Sequence, residues 1–335
     1  MLSVKLSSRS LCEPVARHFE RLLEQFSCVR ELSLPGCRLD PPTVVRLSRV
    51  LQLNTALYSL HLTGTALADD GAMLLAHALQ RNSSLRVLGL AANELTSRGC
   101  RLVVRAIGRS RAMLELDLSD NQIGDGGCVS LGDLLVTHNC PLRRLLVSNN
   151  RFSVVGGCAL FSALRRNSRL VHLDVSRNEI GDESSRELTT ALIYNRTLRH
   201  LTLAGCGLTS ATCSMLARPL QTNTVLRTLV LDGNERVSDG GVAVLAESLQ
   251  YNQSLRQLSF NQCGLTKLAL THVLSALRYN NTIRTIDVRP ANTHQQQPSP
   301  SNQAAAAGGN DDVTSSPTTE LSRVLRANPL LRILT

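Results

Sequence analysis

The chain contains no tryptophan, and four tyrosines with five phenylalanines leave aromatics at 3% of its 335 residues. A core of this size must be built from aliphatic side chains, and a tight inhibitor-like surface lacks the aromatic anchors such surfaces use. Lysine is almost absent as well: of 36 basic residues only Lys5 and Lys267 are lysine. Neither follows a glycine, so there is no phosphate-cradling GxxxxGK[ST] loop, and a protein kinase with its positioned lysine is disfavoured. No run approaches the ~18 apolar residues of a membrane span. The opening, MLSVKLSSRSLCEP, has no continuous apolar segment of the secretory type. None of the ten cysteines lies in a CxxC pair, which points to reduced thiols in the cytoplasm rather than a disulfide framework.

Arginine and aliphatic residues are abundant. The formal charge is +10 and 43% of the residues are hydrophobic, a normal proportion for a chain that buries a core. So lopsided an Arg-to-Lys ratio reflects genome composition as readily as selection for a polyanion, and charge alone points only weakly to nucleic acid.

The dominant feature is an internal repeat. Val29, Leu57, Leu85, Met113, Leu142, Leu170, Leu198, Leu226, Leu255 and Ile283 each open a phrase of 28 or 29 residues. Met1 lies in frame before them, so the N-terminus reads as a first repeat rather than a basic, Ser-rich targeting leader; Leu331 and Leu334 resume the frame after an insertion. Positions 1, 4 and 6 are apolar, as in Leu170, Leu173 and Val175, which predicts a short strand with one buried face. Position 9 is Asn93, Asn121, Asn150, Asn178 and Asn234, or Cys37, Cys206 and Cys263, side chains that donate inward to a turning backbone. Position 15 is often glycine (Gly71, Gly99, Gly127, Gly156), where a helix enters in close contact with its neighbour. Apolar pairs at i, i+4 follow, such as Leu75/Leu79 and Leu188/Leu192, and predict one helix per repeat. An Asn ends most helices (Asn54, Asn82, Asn167, Asn195, Asn223, Asn252, Asn280), a residue that tolerates the left-handed conformation of a helix stop. Four N-x-[ST] sequons begin at this Asn and are by-products of the repeat.

One strand-turn-helix unit cannot bury its own apolar face, whereas stacked units share a core between a parallel sheet and a row of helices. The phrase LxxLxLxx(N/C)xL followed by a Gly-led helix resembles the ribonuclease-inhibitor class of leucine-rich repeats. The resemblance implies an α/β solenoid, a horseshoe with the parallel sheet on its concave side and helices on its convex side, that binds another protein and carries no catalysis or cofactor. The expectation is a single solenoid of about eleven repeats over 1–335, with a low-complexity, disordered insertion at 291–317. The last strand starts at Leu331 without a polar capping unit, which leads us to expect self-association through that edge.

Candidate sites follow from which positions face outward. Positions 2, 3, 5 and 7 point onto the concave face, and position 2 is arginine in most repeats, a ladder that is also a general habit of the class. The individual residues in the middle of the arc are Glu115, Asp117, Arg143, Arg144, Leu146, His172, Asp174, His200 and Val230, where aliphatics stand among opposite charges. These are the candidate partner-binding residues. His172 and His200 share position 3 of adjacent repeats, and with Asp174 they offer metal donors, although polar concave residues need no ion to explain them. A second candidate is the basic stripe Arg98, Arg101, Arg105 and Arg109, extended by Arg165 and Arg166. It is either a solvated helix face or a dock for an acidic protein; RNA ranks lower because no aromatics interleave with the arginines of that stripe. The alternatives to a protein-binding scaffold are a regulator of a small GTPase of the Ran-activating kind, which would carry an acidic C-terminal tail, and a cytoskeletal, centrosomal or flagellar component.

Overall fold

The computed structural model describes residues 2–5, 10–11, 29–137, 140–289 and 331–334. The expected insertion at 291–317 lies outside them. The strands are β1 (Leu2–Lys5), β2 (Ser10–Leu11), β3 (Val29–Ser33), β4 (Arg38–Leu39), β5 (Ser59–His61), β6 (Val87–Gly89), β7 (Glu115–Asp117), β8 (Arg144–Leu146), β9 (His172–Asp174), β10 (His200–Thr202), β11 (Thr228–Val230), β12 (Gln257–Ser259), β13 (Thr285–Asp287) and β14 (Arg332–Leu334). Apart from β2 and β4, which pair with each other, they form one twelve-stranded sheet in chain order. Every neighbour is parallel and in the repeat register, so that Leu116, Leu145, Leu173 and Leu201 occupy one row.

Helices alternate with these strands: α1 (Pro41–Leu53), α2 (Ala68–Leu79), α3 (Ser97–Ser110), α4 (Gly124–Val136), α5 (Val154–Leu164), α6 (Ser185–Tyr194), α7 (Ser210–Thr222), α8 (Ser238–Leu249) and α9 (Lys267–Leu277). The sheet covers one face of the solenoid and the helices the other, as the repeat predicts. The residues of positions 1, 4 and 6 and the helical i, i+4 pairs meet in a single continuous core. Ladder bonds of short parallel strands run only between repeats, so each repeat gains its partners by stacking.

The turns are held by two rows of asparagine. In the first, Asn93, Asn121, Asn150 and Asn178 are at most 4% exposed. Asn178 Nδ2 donates to the carbonyls of Val147 at 3.0 Å, Val175 at 2.8 Å and Ser176 at 3.0 Å, and its Oδ1 accepts from Asn150 N at 2.8 Å. Where cysteine takes this place the thiol does part of the work: Cys206 Sγ reaches Val175 O at 3.5 Å, and Cys263 Sγ reaches Leu231 O at 3.1 Å. Thr65 occupies the same position and donates to Leu62 O at 3.0 Å.

The second row corrects an expectation. The asparagines that end the helices are not left-handed: Asn54, Asn195 and Asn223 have φ near −72° and extended ψ. Their side chains explain them instead. Asn195 Oδ1 accepts from the backbone N of Thr197 and Leu198, while Nδ2 donates to Leu164 O at 2.8 Å and Asn167 O at 3.0 Å in the preceding repeat. Asn82, Asn252 and Asn280 bond the same way. Because the amide nitrogen of each sequon Asn is buried and spent on carbonyls, these sites are closed in the folded chain. The left-handed stop occurs where the asparagine is missing: α3 ends at Ser110, and Arg111 takes φ 51°.

The structure also has a period of two repeats. Asp69, Asp125 and Asp239, in the first turns of α2, α4 and α8, and Asp182, just before α6, each reach forward into the following repeat. Asp125 Oδ1 accepts from Ser153 N at 2.8 Å and Gly156 N at 2.9 Å, and its Oδ2 from Ser153 Oγ at 2.8 Å. Thr96, Thr209 and Thr266 receive Asp69, Asp182 and Asp239 in the same manner. These hydroxyl residues in turn cap α3, α5, α7 and α9 through their own side chains. Glycine stands at the meeting point in two of the clamps, where a Cβ on Gly99 would lie 2.3 Å from Asp69 Oδ1; in a third, Thr212 fills the same place and donates its Oγ1 to Asp182.

Two outcomes are expected. Asn178→Ala leaves the Val147 carbonyl and the Asn150 amide without their partner, since Ser176 O keeps Asn149 N and Val175 O keeps Cys206 Sγ, and costs about 3 kcal/mol, whereas Asn178→Cys loses about half of that; urea unfolding followed by circular dichroism compares them. Among the described thiols, burial pushes Cys100, Cys206, Cys213 and Cys263 up to about 12, while Cys158 is partly exposed. A native-state thiol titration should therefore label Cys158 and spare those four until the chain is unfolded.

Candidate functional site

The middle of the concave face is a lattice of two outward-facing, half-buried lanes. On one lane Glu115, Arg144, His172, His200 and Thr228 stand on adjacent strands β7 to β11, in register. On the other Asp117, Leu146, Asp174, Thr202 and Val230 do the same. Between the lanes the leucine of each strand points into the core, so the outward alternation of short strands alone assembles the surface. The structure thus brings together eight of the nine sequence-predicted residues. The ninth, Arg143, stands exposed just before β8, at the edge of the sheet rather than on it.

The lane is electrostatically graded. Arg144 Nε lies 3.3 Å from Glu115 Oε1, a pair that remains partly exposed and stabilises modestly. Next to it the rings of His172 and His200 stack with centroids 5.6 Å apart, and His200 Nδ1 lies 3.0 Å from Thr228 Oγ1. Burial, helped by the Arg144 charge and by His200, holds the His172 imidazole below its ordinary value, with Asp174 opposing. Burial and then Arg227, Arg199 and Arg144 lower His200 likewise. The pair is therefore neutral at neutral pH: flat, polar and uncharged beside a cation. Asp174 turns to its own loop, with Oδ1 accepting from Ser176 N and Oγ. Among the described residues no group of three or more His, Cys, Asp or Glu side chains is placed to hold a metal.

Two of the position-2 arginines bond to backbone carbonyls at the end of a repeat. Arg30 Nη1 donates to Ala56 O at 3.0 Å and Arg86 Nη1 to Ser83 O at 2.8 Å, which ties both guanidinium groups to the rim where helices end, Arg30 at the border of the concave face. On the convex side Arg98, Arg101, Arg105 and Arg109 are all exposed on α3. Arg98 lies 3.7 Å from the exposed Asp70, and Arg109 Nη1 is 3.4 Å from Gln80 Oε1. Arg101 and Arg105 border a groove of about 600 Å³ toward α4. Arg165 does not extend this stripe; its guanidinium sits 5.4 Å over the Tyr194 ring, two helices further on.

A feature missed by the sequence reading lies at the N-terminal part of the face: a depression of about 570 Å³ lined by Ser3, Arg30, Glu31, Tyr58, Ser59, His61, Val87 and Glu115. Gly89, on the neighbouring strand, leaves room for the ring of the lining residue His61, since a Cβ there would lie 2.7 Å from its Nδ1. Its signal in the sequence is Val87 and Gly89, small or apolar residues at two outward positions of one strand, with Tyr58 beside them.

Comparison with known proteins agrees with this geometry. A family model described as Leucine Rich repeat matches residues 53–76, 110–132, 166–184, 194–217 and 222–246. The human NACHT, LRR and PYD domains-containing protein 14 is 33% identical over 155 residues, 46% of this chain and 14% of that protein. The mouse NACHT, LRR and PYD domains-containing protein 4C is 31% identical over 162 residues, 48% of this chain and 16% of that protein. The chain thus matches about one sixth or less of the length of these curated relatives. Among solved structures, a chain of the yeast Rad7 and Elc1 complex superposes with a TM-score of 0.51 at 14% identity, covering 88% of this chain and 79% of its own, a likeness of fold. No helix of the described residues is long and apolar enough to cross a membrane.

The histidine pair sets an acid-side dependence. With both imidazoles lowered in the folded state, the unfolded chain takes up protons that the folded one refuses, so stability present above the ordinary value near 6.5 is lost as pH falls below it. His172→Gln with His200→Gln should flatten the stability profile between about pH 7 and pH 5; thermal melts across that range read the difference.

Proposed function

From the premise of a leucine-rich-repeat domain related to those of the NACHT, LRR and PYD domains-containing proteins, we propose that the chain is a non-enzymatic interaction scaffold whose concave face binds a partner protein. The general role of a protein-binding scaffold accords with the repeat and its relatives; the partner-binding residues are our assignment. The carrying observation is the lane Glu115–Arg144–His172–His200, an ion pair continuing into a stacked, neutral histidine pair, with Leu146 and Val230 on the neighbouring lane. Such a surface offers aliphatic area and directional polar contacts on a preorganised frame, so little ordering is lost on association. One helix per repeat and the spacing of 28 or 29 residues favour the ribonuclease-inhibitor class. On this reading the chain is one solenoid over 1–335 interrupted at 291–317, and it works in the cytoplasm with its thiols reduced.

The test is the triple variant Arg144→Glu, His172→Glu, His200→Glu, compared with the unaltered chain by proximity labelling and pull-down. The expected result is the loss of specific partners, a weakening of tenfold or more (order of magnitude), with an unchanged circular dichroism spectrum. Partners that persist at full strength would refute the concave assignment.

A further inference from the structure

On the rim where helices end, the segments that lead to the next strand carry charge of one sign. From five of the helix ends to the next strand the chain reads QRNSSLR at 80–86, RRNSRLV at 165–171, IYNRTLR at 193–199, QYNQSLR at 250–256 and RYNNTIR at 278–284, with no aspartate or glutamate among them. The opposite rim, where helices begin, mixes Asp69, Asp125, Asp182 and Asp239 with arginines. A cation at a helix C-terminus complements the macrodipole within the last turn, but Arg169 and Arg196 lie beyond their helices and are exposed. Tyrosine shares this rim. Of the four in the chain, Tyr194, Tyr251 and Tyr279 each directly precede a buried helix-ending Asn and are 57%, 66% and 68% exposed. The Asn is pinned by its bonds to the preceding repeat, so each ring is held outward in a fixed place. Arg165 lies over the face of Tyr194, a planar cation stacked on one of the three rings.

We propose that this rim binds single-stranded nucleic acid, going beyond the concave-face reading and independent of it. A long row of guanidinium groups, with Glu247 and Asp133 the exposed acids of the adjoining last helical turns, suits a linear polyanion better than a folded acidic protein, which would meet only part of it. Exposed aromatic rings at repeat intervals among phosphate-pairing arginines are the elements of a sequence-tolerant stacking platform. The aromatics absent from the α3 stripe are found here.

The experiment measures fluorescence anisotropy of a labelled 20-nucleotide oligouridine on the intact chain across a salt series, beside a 20-residue polyglutamate. Oligouridine should bind more tightly than polyglutamate. Arg166→Glu with Arg169→Glu and Arg196→Glu should lower affinity and reduce the slope of log K against log salt by about 2, near 0.7 per phosphate contact. Tyr251→Ala with Tyr279→Ala should weaken binding about tenfold or more at fixed salt while leaving the slope unchanged. All substituted residues are exposed, and circular dichroism checks that the variants fold. Equal binding of polyglutamate with indifference to the tyrosine pair would overturn the proposal in favour of an acidic protein surface, and no binding of either probe would overturn it outright. The rim variants should keep the partners captured through the concave face, so the two readings fail separately.

Discussion

A stacked repeat of strand, turn and helix leaves two corners per unit where the backbone turns inside the protein, and buried carbonyls there have no sheet or helix partner. The rest of the structure depends on meeting that demand, since an unpaired buried carbonyl is expensive. The primary amide of asparagine suits it: Nδ2 reaches carbonyls of the previous turn while Oδ1 accepts an amide of its own or a neighbouring turn. Because each asparagine bonds to the backbone of its own repeat and to that of the preceding one, it fixes the register between units as well as the shape of one. Flat lanes of outward side chains on the sheet follow directly from that fixed register.

The same corners separate the solenoid chemically into two rims. Helix starts gather aspartates that cap the next helix, and helix ends gather arginine and exposed tyrosine. Between them the sheet presents alternating lanes whose neutral histidine pair owes its charge state to burial and to nearby arginines. Concave face and rim are thus two surfaces of different character on one rigid frame.

The architecture was legible because each structural demand recurs at one spacing: leucines at 170 and 173 and the i, i+4 pair at 188 and 192 state strand and helix directly. The lanes of the concave face were legible for the same reason, since alternation on a short strand assigns outward positions. Three things were not. The asparagine at the helix end was assigned a backbone role because residue type suggests φ, whereas its actual partners sit a full repeat away. Arg30 and Arg86 bond to rim carbonyls, partners that residue type at position 2 does not announce. The depression beside Tyr58 is lined by the His61 ring, for which a missing side chain at Gly89 leaves room, and a pattern of present side chains does not reveal that.

The forward-reaching aspartates give the solenoid a grammar of couplets. Each clamp joins one particular kind of unit to the other kind, Asp125 to Ser153 and Asp182 to Thr209, so a single unit removed or added would set two like units side by side and leave an aspartate facing no hydroxyl. Lengthening or shortening by a couplet preserves every clamp. The arc is thereby quantised: its span, its curvature and the number of lanes it can present change in steps of two.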